Sequence, residues 1–150
     1  MRSLHTFIHT FHHPDAGILF MRIAVGSIFL VHGIQKLQNL DQVVGFFAML
    51  GLGAFWAYLV AVVETLGGLA LLLGAFTRYA AVLLAAVSLV AFLKVHWENG
   101  FLVGNGGYEF VLVLFLSAIA LFLSGSGRYS VMHRVRLKCG DLHCTTCEVK

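Results

Sequence analysis

Glu64 sits at the centre of "LVAVVETLGGLALLL", residues 59–73, and is the single charged residue in that run. A carboxylate in such a setting reads in two ways. It is an interhelical tie, protonated or paired with Arg22, or it handles protons or a quinone headgroup. A second set of reactive side chains is packed into "FLKVHWENGFLVGNGGYEF": Lys94, His96, Glu98, Asn105, Tyr108 and Glu109. His32, Gln35 and Lys36 end the first apolar stretch at the same level. Acid, base and imidazole around one site are what proton-coupled chemistry requires. The same residues also read as a turn with an interfacial belt of Trp97 and Tyr108 and with snorkelling Lys36 and Lys94. Gly100, Gly104, Gly106 and Gly107 leave that loop free for tight re-entry or a close approach to a ligand.

The tails hold two further sets. "KCGDLHCTTCEVK" contains Cys139, His143, Cys144 and Cys147. Three thiolates and an imidazole can hold zinc or iron, Cys144 and Cys147 can shuttle thiol and disulfide states, and the segment can equally be a tail without a site. Near the N-terminus, Leu4, Phe7, Ile8 and Phe11 share one helical face and His5, His9 and His12 another. That pattern fits a short helix lying on a leaflet, its imidazoles free, metal-bound or making a pH-dependent membrane contact.

The elements that must position these groups follow from composition. The 150 residues are 59% hydrophobic and 11% charged, against roughly 25% charged in soluble proteins. Four apolar stretches, about 16–36, 55–76, 79–95 and 108–123, approach the length of about 20 residues that crosses a bilayer core. The expected fold is an all-α integral membrane protein, an antiparallel four-transmembrane-helix bundle. It spans 16–130, between a His-rich segment at 1–15 and a basic, Cys-containing tail at 131–150. The N-terminus lacks the compact basic, apolar and small-residue order of a cleaved signal peptide. With four crossings, eight of the ten lysines and arginines fall on the side of the termini and only Lys36 and Lys94 on the other. The expected orientation therefore has both termini in the cytoplasm of a cell whose inner membrane holds the bundle. The tail cysteines would then lie in a reducing compartment.

Small and polar residues recur on one face of each stretch, as close packing in lipid requires. These faces are Arg22, Val25, Phe29, His32 and Lys36 with Gly26 and Gly33; Ala57, Ala61, Glu64 and Gly68; Arg78, Ala81, Ala85, Ser88 and Phe92; and Glu109, Val113, Ser117, Ala120 and Ser124. At about 1.5 Å per residue, Arg22 lies roughly 7 Å to one side of Glu64 and His32 roughly 7 Å to the other, so either could reach it.

The strings "RIAVGSIFLVHGIQKL", "GFFAMLGL", "YLVAVVETLGGLALLLGAFTRYAA", "VHWENGF", "NGGYEF" and "GSGRYS" resemble, in order and spacing, the DoxX family of small four-helix membrane proteins, from about Gly17 to Ser130. The resemblance implies a bundle associated with quinone-linked redox chemistry. Relatives it brings in include membrane subunits of a thiosulfate:quinone oxidoreductase, quinone-detoxification proteins, and a member that assembles with a superoxide dismutase and a sulfurtransferase. The family pattern marks Arg22, His32, Gly33, Lys36, Glu64, Gly67, Gly68, Thr77, Arg78, His96, Gly106, Gly107, Tyr108 and Glu109. Ser126 stands where the family's "GPGRYS" has proline, which affects the stiffness of the last turn.

The expected function is the membrane subunit of a quinone-linked oxidoreductase system. Glu64, Glu109, His32 and His96 would be its proton-handling residues. Arg22, Lys36, Arg78, Tyr108, Gly106 and Gly107 would line the quinone site. The bilayer, the quinone and a soluble redox or sulfurtransferase-type protein are the expected partners, with homo-oligomers open and no nucleic acid. No dinucleotide fingerprint or haem attachment motif occurs in the chain. The alternatives are a non-catalytic scaffold that anchors soluble redox enzymes through its tails, and an oligomeric small-anion transporter.

Overall fold

The computed structural model describes residues 13–135. The expectations placed on residues 1–12 and on Cys139, His143, Cys144 and Cys147 lie outside the described residues.

Pro14 opens helix α1, Pro14–Gln38, where its missing N–H costs nothing, and Asp15 faces the positive end of the helix dipole. Asn39 ends it: the backbone N–H turns back to the carbonyls of Gln35 and Lys36, and Nδ2 donates to Gln35 at 3.0 Å. The chain then re-enters a helix at once. Helix α2, Leu40–Met49, occupies what the sequence reading treats as a connection. None of its residues is fully buried, and its half-buried positions Leu40, Val43, Val44 and Phe47 form one side.

Helix α3, Ala54–Leu73, stops three residues short of the expected end at 76, because Gly74 takes a left-handed conformation with φ 70°. A residue with a Cβ fails there twice, since the added atom would also lie 2.5 Å from Nη2 of Arg22. Helix α4, Thr77–Ala91, begins two residues earlier than expected and loosens into a π-helical turn, Phe92–His96, and a 3-10 turn, Trp97–Asn99. A second 3-10 turn, Val103–Asn105, leads to helix α5, Glu109–Ser124, and residues 131–135 form a last helical turn. No strand occurs among the described residues.

The helices pack as two antiparallel pairs, α1 with α3 and α4 with α5; α3 joins α4, and α5 closes back on α1. Three helical stretches are long and apolar enough to cross a membrane, Pro14–Gln38, Ala54–Leu73 and Thr77–Asn99, while α5 is shorter at 16 residues. Leu66, Val113 and Leu123 stand 61%, 60% and 68% exposed on the outside of the bundle. In water such a surface would be costly; against lipid tails it is the expected one.

Glycines set the α1–α3 seam. A Cβ on Gly33 would lie 2.5 Å from the Thr65 nitrogen, one on Gly68 would lie 2.5 Å from the Leu30 nitrogen, and one on Gly26 would lie 2.9 Å from the Gly68 oxygen. The α4–α5 seam is built differently. Ala80, Ala81, Ala85 and Ser88 supply the small side, and the buried face of α5 is Val111, Leu114, Ala118 and Leu121. The expected α5 face is therefore corrected: Val113 is exposed and Ser117 only half-buried. Once α4 supplies the small residues, α5 must supply volume, and leucines fill the gap.

Because backbone stands within van der Waals range at the first seam, Gly33→Val should push α1 from α3 and cost roughly 1–3 kcal/mol of bundle stability. Thermal unfolding of the purified protein in detergent checks this. Gly45→Ala, where an added Cβ meets nothing within 4 Å, serves as the unaffected control.

Candidate functional site

The glycine seam fixes the register that decides which cation meets Glu64. With Gly33 opposite Thr65, Lys36 lies one turn further along α1, and a helical side chain leans toward its own N-terminus. Its ammonium therefore descends onto Glu64, and Nζ stands 2.5 Å from both carboxylate oxygens. Glu64 is almost wholly buried, its side chain 5% exposed, whereas that of Lys36 is 29% exposed. The acid anchors the pair and the base presents it to the surface. No other ion pair occurs among the described residues.

Two expected pairings are corrected by this geometry. Arg22 does not pair with Glu64. It is buried and donates four hydrogen bonds to carbonyls: Nε to Leu71 at 2.8 Å, Nη2 to Leu72 at 2.9 Å, and Nη1 to Ser126 and Tyr129, each at 2.8 Å. A guanidinium has five N–H donors, so this one is nearly saturated by backbone. It ties the end of α3 to the segment after α5, where the last carbonyls of α3 carry the negative end of the helix dipole. His32 does not reach Glu64 either; it is exposed, one turn before Lys36 on α1.

His32, Gln35 and Lys36 of α1 and Val43 of α2 line an open cleft of about 400 Å³. His32, Gln35 and Lys36 give this cleft its polar groups, the ammonium backed by Glu64, and Val43 is its apolar lining residue. An ammonium has three protons. Two point at Glu64, so one remains for an acceptor in the cleft. Gln35 appears in the sequence reading only as a neighbour, and Val43 not at all. The signal for Val43 is the spacing of Leu40, Val43, Val44 and Phe47, which is that of a helical face.

The remaining expected site residues form a separate structure. His96 Nδ1 lies 2.6 Å from the Gly106 carbonyl; since a carbonyl only accepts, Nδ1 carries the proton. Glu109 Oε1 accepts the Val103 N–H at 3.0 Å. Gly106, with φ 78°, and Gly107 donate their N–H groups to Val103 and Leu102, and a Cβ on Gly107 would lie 2.4 Å from the Gly100 oxygen. Tyr108 stacks on Trp97 with ring centroids 5.6 Å apart and meets Phe92 and Phe101 edge to face. These residues hold the loop between α4 and α5. Among the described residues no hydrogen bond joins them to Lys36 and Glu64, and none of them lines the cleft at Lys36. Arg78 is placed at the other end of the bundle, against Gly125, and Thr77 beside it buries a hydroxyl that has no partner among the described residues. No group of three or more His, Cys, Asp or Glu able to hold a metal occurs among the described residues.

An all-helical bundle with an apolar exterior and a buried acid–base pair defines a helical membrane protein. The chain belongs to the DoxX family, whose model matches residues 17–97. It is 37% identical over 112 residues to "Putative oxidoreductase CatD" of Bacillus subtilis (strain 168), covering 75% of this chain and 81% of that one. It is 36% identical over 131 residues to "Uncharacterized membrane protein Rv3486" of Mycobacterium tuberculosis, with 79% and 80% covered. It is 29% identical over 119 residues to "Inner membrane protein YqjF" of Escherichia coli (strain K12), with 78% and 90% covered. No solved structure matches the chain.

Removing one partner of the pair should cost more than removing both. Lys36→Met strands a buried carboxylate and should destabilise the bundle by about 3–5 kcal/mol, while Lys36→Met with Glu64→Leu recovers most of that loss. Unfolding midpoints of the two variants in one detergent decide it, and a double variant no more stable than Lys36→Met would refute the expectation.

Proposed function

We propose that this protein is the membrane subunit of a quinone-linked oxidoreductase system, and that the cleft at Lys36 receives the quinone headgroup. The observation that supports this reading is the Lys36 ammonium, held on buried Glu64 yet open to a cleft shared with His32 and Gln35. A quinone carbonyl needs a hydrogen-bond donor when it binds and protons when it is reduced. Lys36 can donate to that oxygen without leaving Glu64. Reduction consumes two electrons and two protons, and in this reading the electrons come from a thiol or reduced sulfur compound that a soluble redox partner docked at the membrane oxidises. The relative named as an oxidoreductase supports the same class.

In the same reading α5 is the fourth crossing. Its 16 residues extend about 24 Å, and Lys36 and Lys94 stand toward the end opposite Arg22, Arg78 and Arg128. The arginine end then faces the cytoplasm. A reporter fused after residue 150 should accordingly be active only as a cytoplasmic enzyme, and periplasmic activity would reverse the orientation.

Titrating the purified protein with a quinone while following Trp56 and Trp97 fluorescence tests the site. Saturable quenching is expected. Lys36→Gln and Glu64→Gln should each weaken it by roughly 10- to 100-fold, the loss of one charged hydrogen bond. Glu109→Gln should leave it unchanged, because that carboxylate holds a loop N–H. Melting curves identify any variant that fails to fold, and the absence of saturable binding to the native protein would refute the proposal.

A further inference from the structure

Three arginines, Arg78, Arg128 and Arg134, lie at the end of the bundle opposite the cleft. The segment after α5 folds back over that end: Arg22 holds the carbonyls of Ser126 and Tyr129, and the Arg128 N–H donates to Asp15 Oδ1 at 2.9 Å. The guanidinium of Arg78 lies beside Gly125, and the Arg134 N–H donates to the Ser130 carbonyl at 3.3 Å. Backbone atoms tether Arg128 and Arg134, so their charged ends are left free of that work. The side chains of Arg78, Arg128 and Arg134 are exposed, and none makes an ion pair among the described residues. Asp15, the acid at this end among those residues, already has one oxygen on a backbone N–H.

The surroundings decide what would neutralise this charge. Phe76, Tyr79 and Tyr129 flank the arginines and are 65%, 74% and 58% exposed. A surface for a soluble acidic protein would leave these rings in water whenever the partner is absent. At the level of lipid headgroups, aromatic rings are favoured permanently, because ring and hydroxyl face hydrocarbon and water in turn. The arginine fork matches phosphate oxygens. We infer that this end of the bundle is a docking surface for an anionic phospholipid, with Arg78, Arg128 and Arg134 on its phosphate and Phe76, Tyr79 and Tyr129 at the acyl boundary. The inference is independent of the quinone reading.

The full-length protein, exchanged through micelles carrying equal phosphatidylglycerol and phosphatidylcholine, should retain phosphatidylglycerol in excess when its bound lipid is quantified. Arg128→Gln and Arg134→Gln, whose side chains make no hydrogen bond or ion pair among the described residues, should each lower that excess by about five-fold, and adding Arg78→Gln should lower it further. The corresponding lysine variants, which keep the charge but lose the fork, should fall between the native protein and the glutamine variants. Soluble glycerol phosphate should not displace the lipid. Equal retention of both lipids by the native protein, or undiminished excess in folded glutamine variants, would overturn the inference. Displacement by glycerol phosphate would also overturn it, in favour of a site for a free anion.

Discussion

Everything polar in this bundle depends on how closely α1 and α3 approach. Gly26 and Gly68 bring backbone against backbone, and Gly33 does the same beside Thr65. In a lipid surround the hydrophobic effect does not press helices together, so contact distance and internal hydrogen bonds must do it. Here the two are coupled. Only at this separation can Arg22 reach the last carbonyls of α3 and Lys36 reach Glu64. The seam therefore has a cationic lock at each end and glycines between.

The two locks differ in what they leave available. Arg22 is buried and four of its five N–H groups are occupied by carbonyls from two segments, so its main work is to close the structure. Lys36 is half-sheltered, held by one acid and open on the other side to a cleft. The position of α2 makes the difference. By restarting as a helix just after Asn39, the chain places Val43 over the cleft instead of leaving the pair at an open helix end. The α4–α5 loop shows the contrast: His96, Glu109 and the glycines use their hydrogen bonds on the loop backbone itself.

Much of the fold was legible in the residues. The low charge and the apolar runs announce a helical membrane protein, and Ala57, Ala61, Glu64 and Gly68 announce the buried face of α3, which the structure buries as expected. The face of α5 was not legible, because a stripe of Ser and Ala signals close packing only if the partner helix needs it, and α4 already supplies small residues. Helix α2 was missed because ten residues beside a longer apolar helix read as a connection. The partner of Glu64 was missed because counting rise per residue treats side chains as points. Lys36 and Arg22 both extend several ångströms along the helix axis, toward its N-terminus.

What the sequence alone determined about this protein is its solvent and its repertoire: a helical chain for the bilayer, with one acid among few cations deep in its apolar segments. Which cation met that acid was decided only in the tertiary structure. Periodicity places residues on a face, but pairing requires the offset between two helices, and that offset is set by where their glycines allow the backbones to touch.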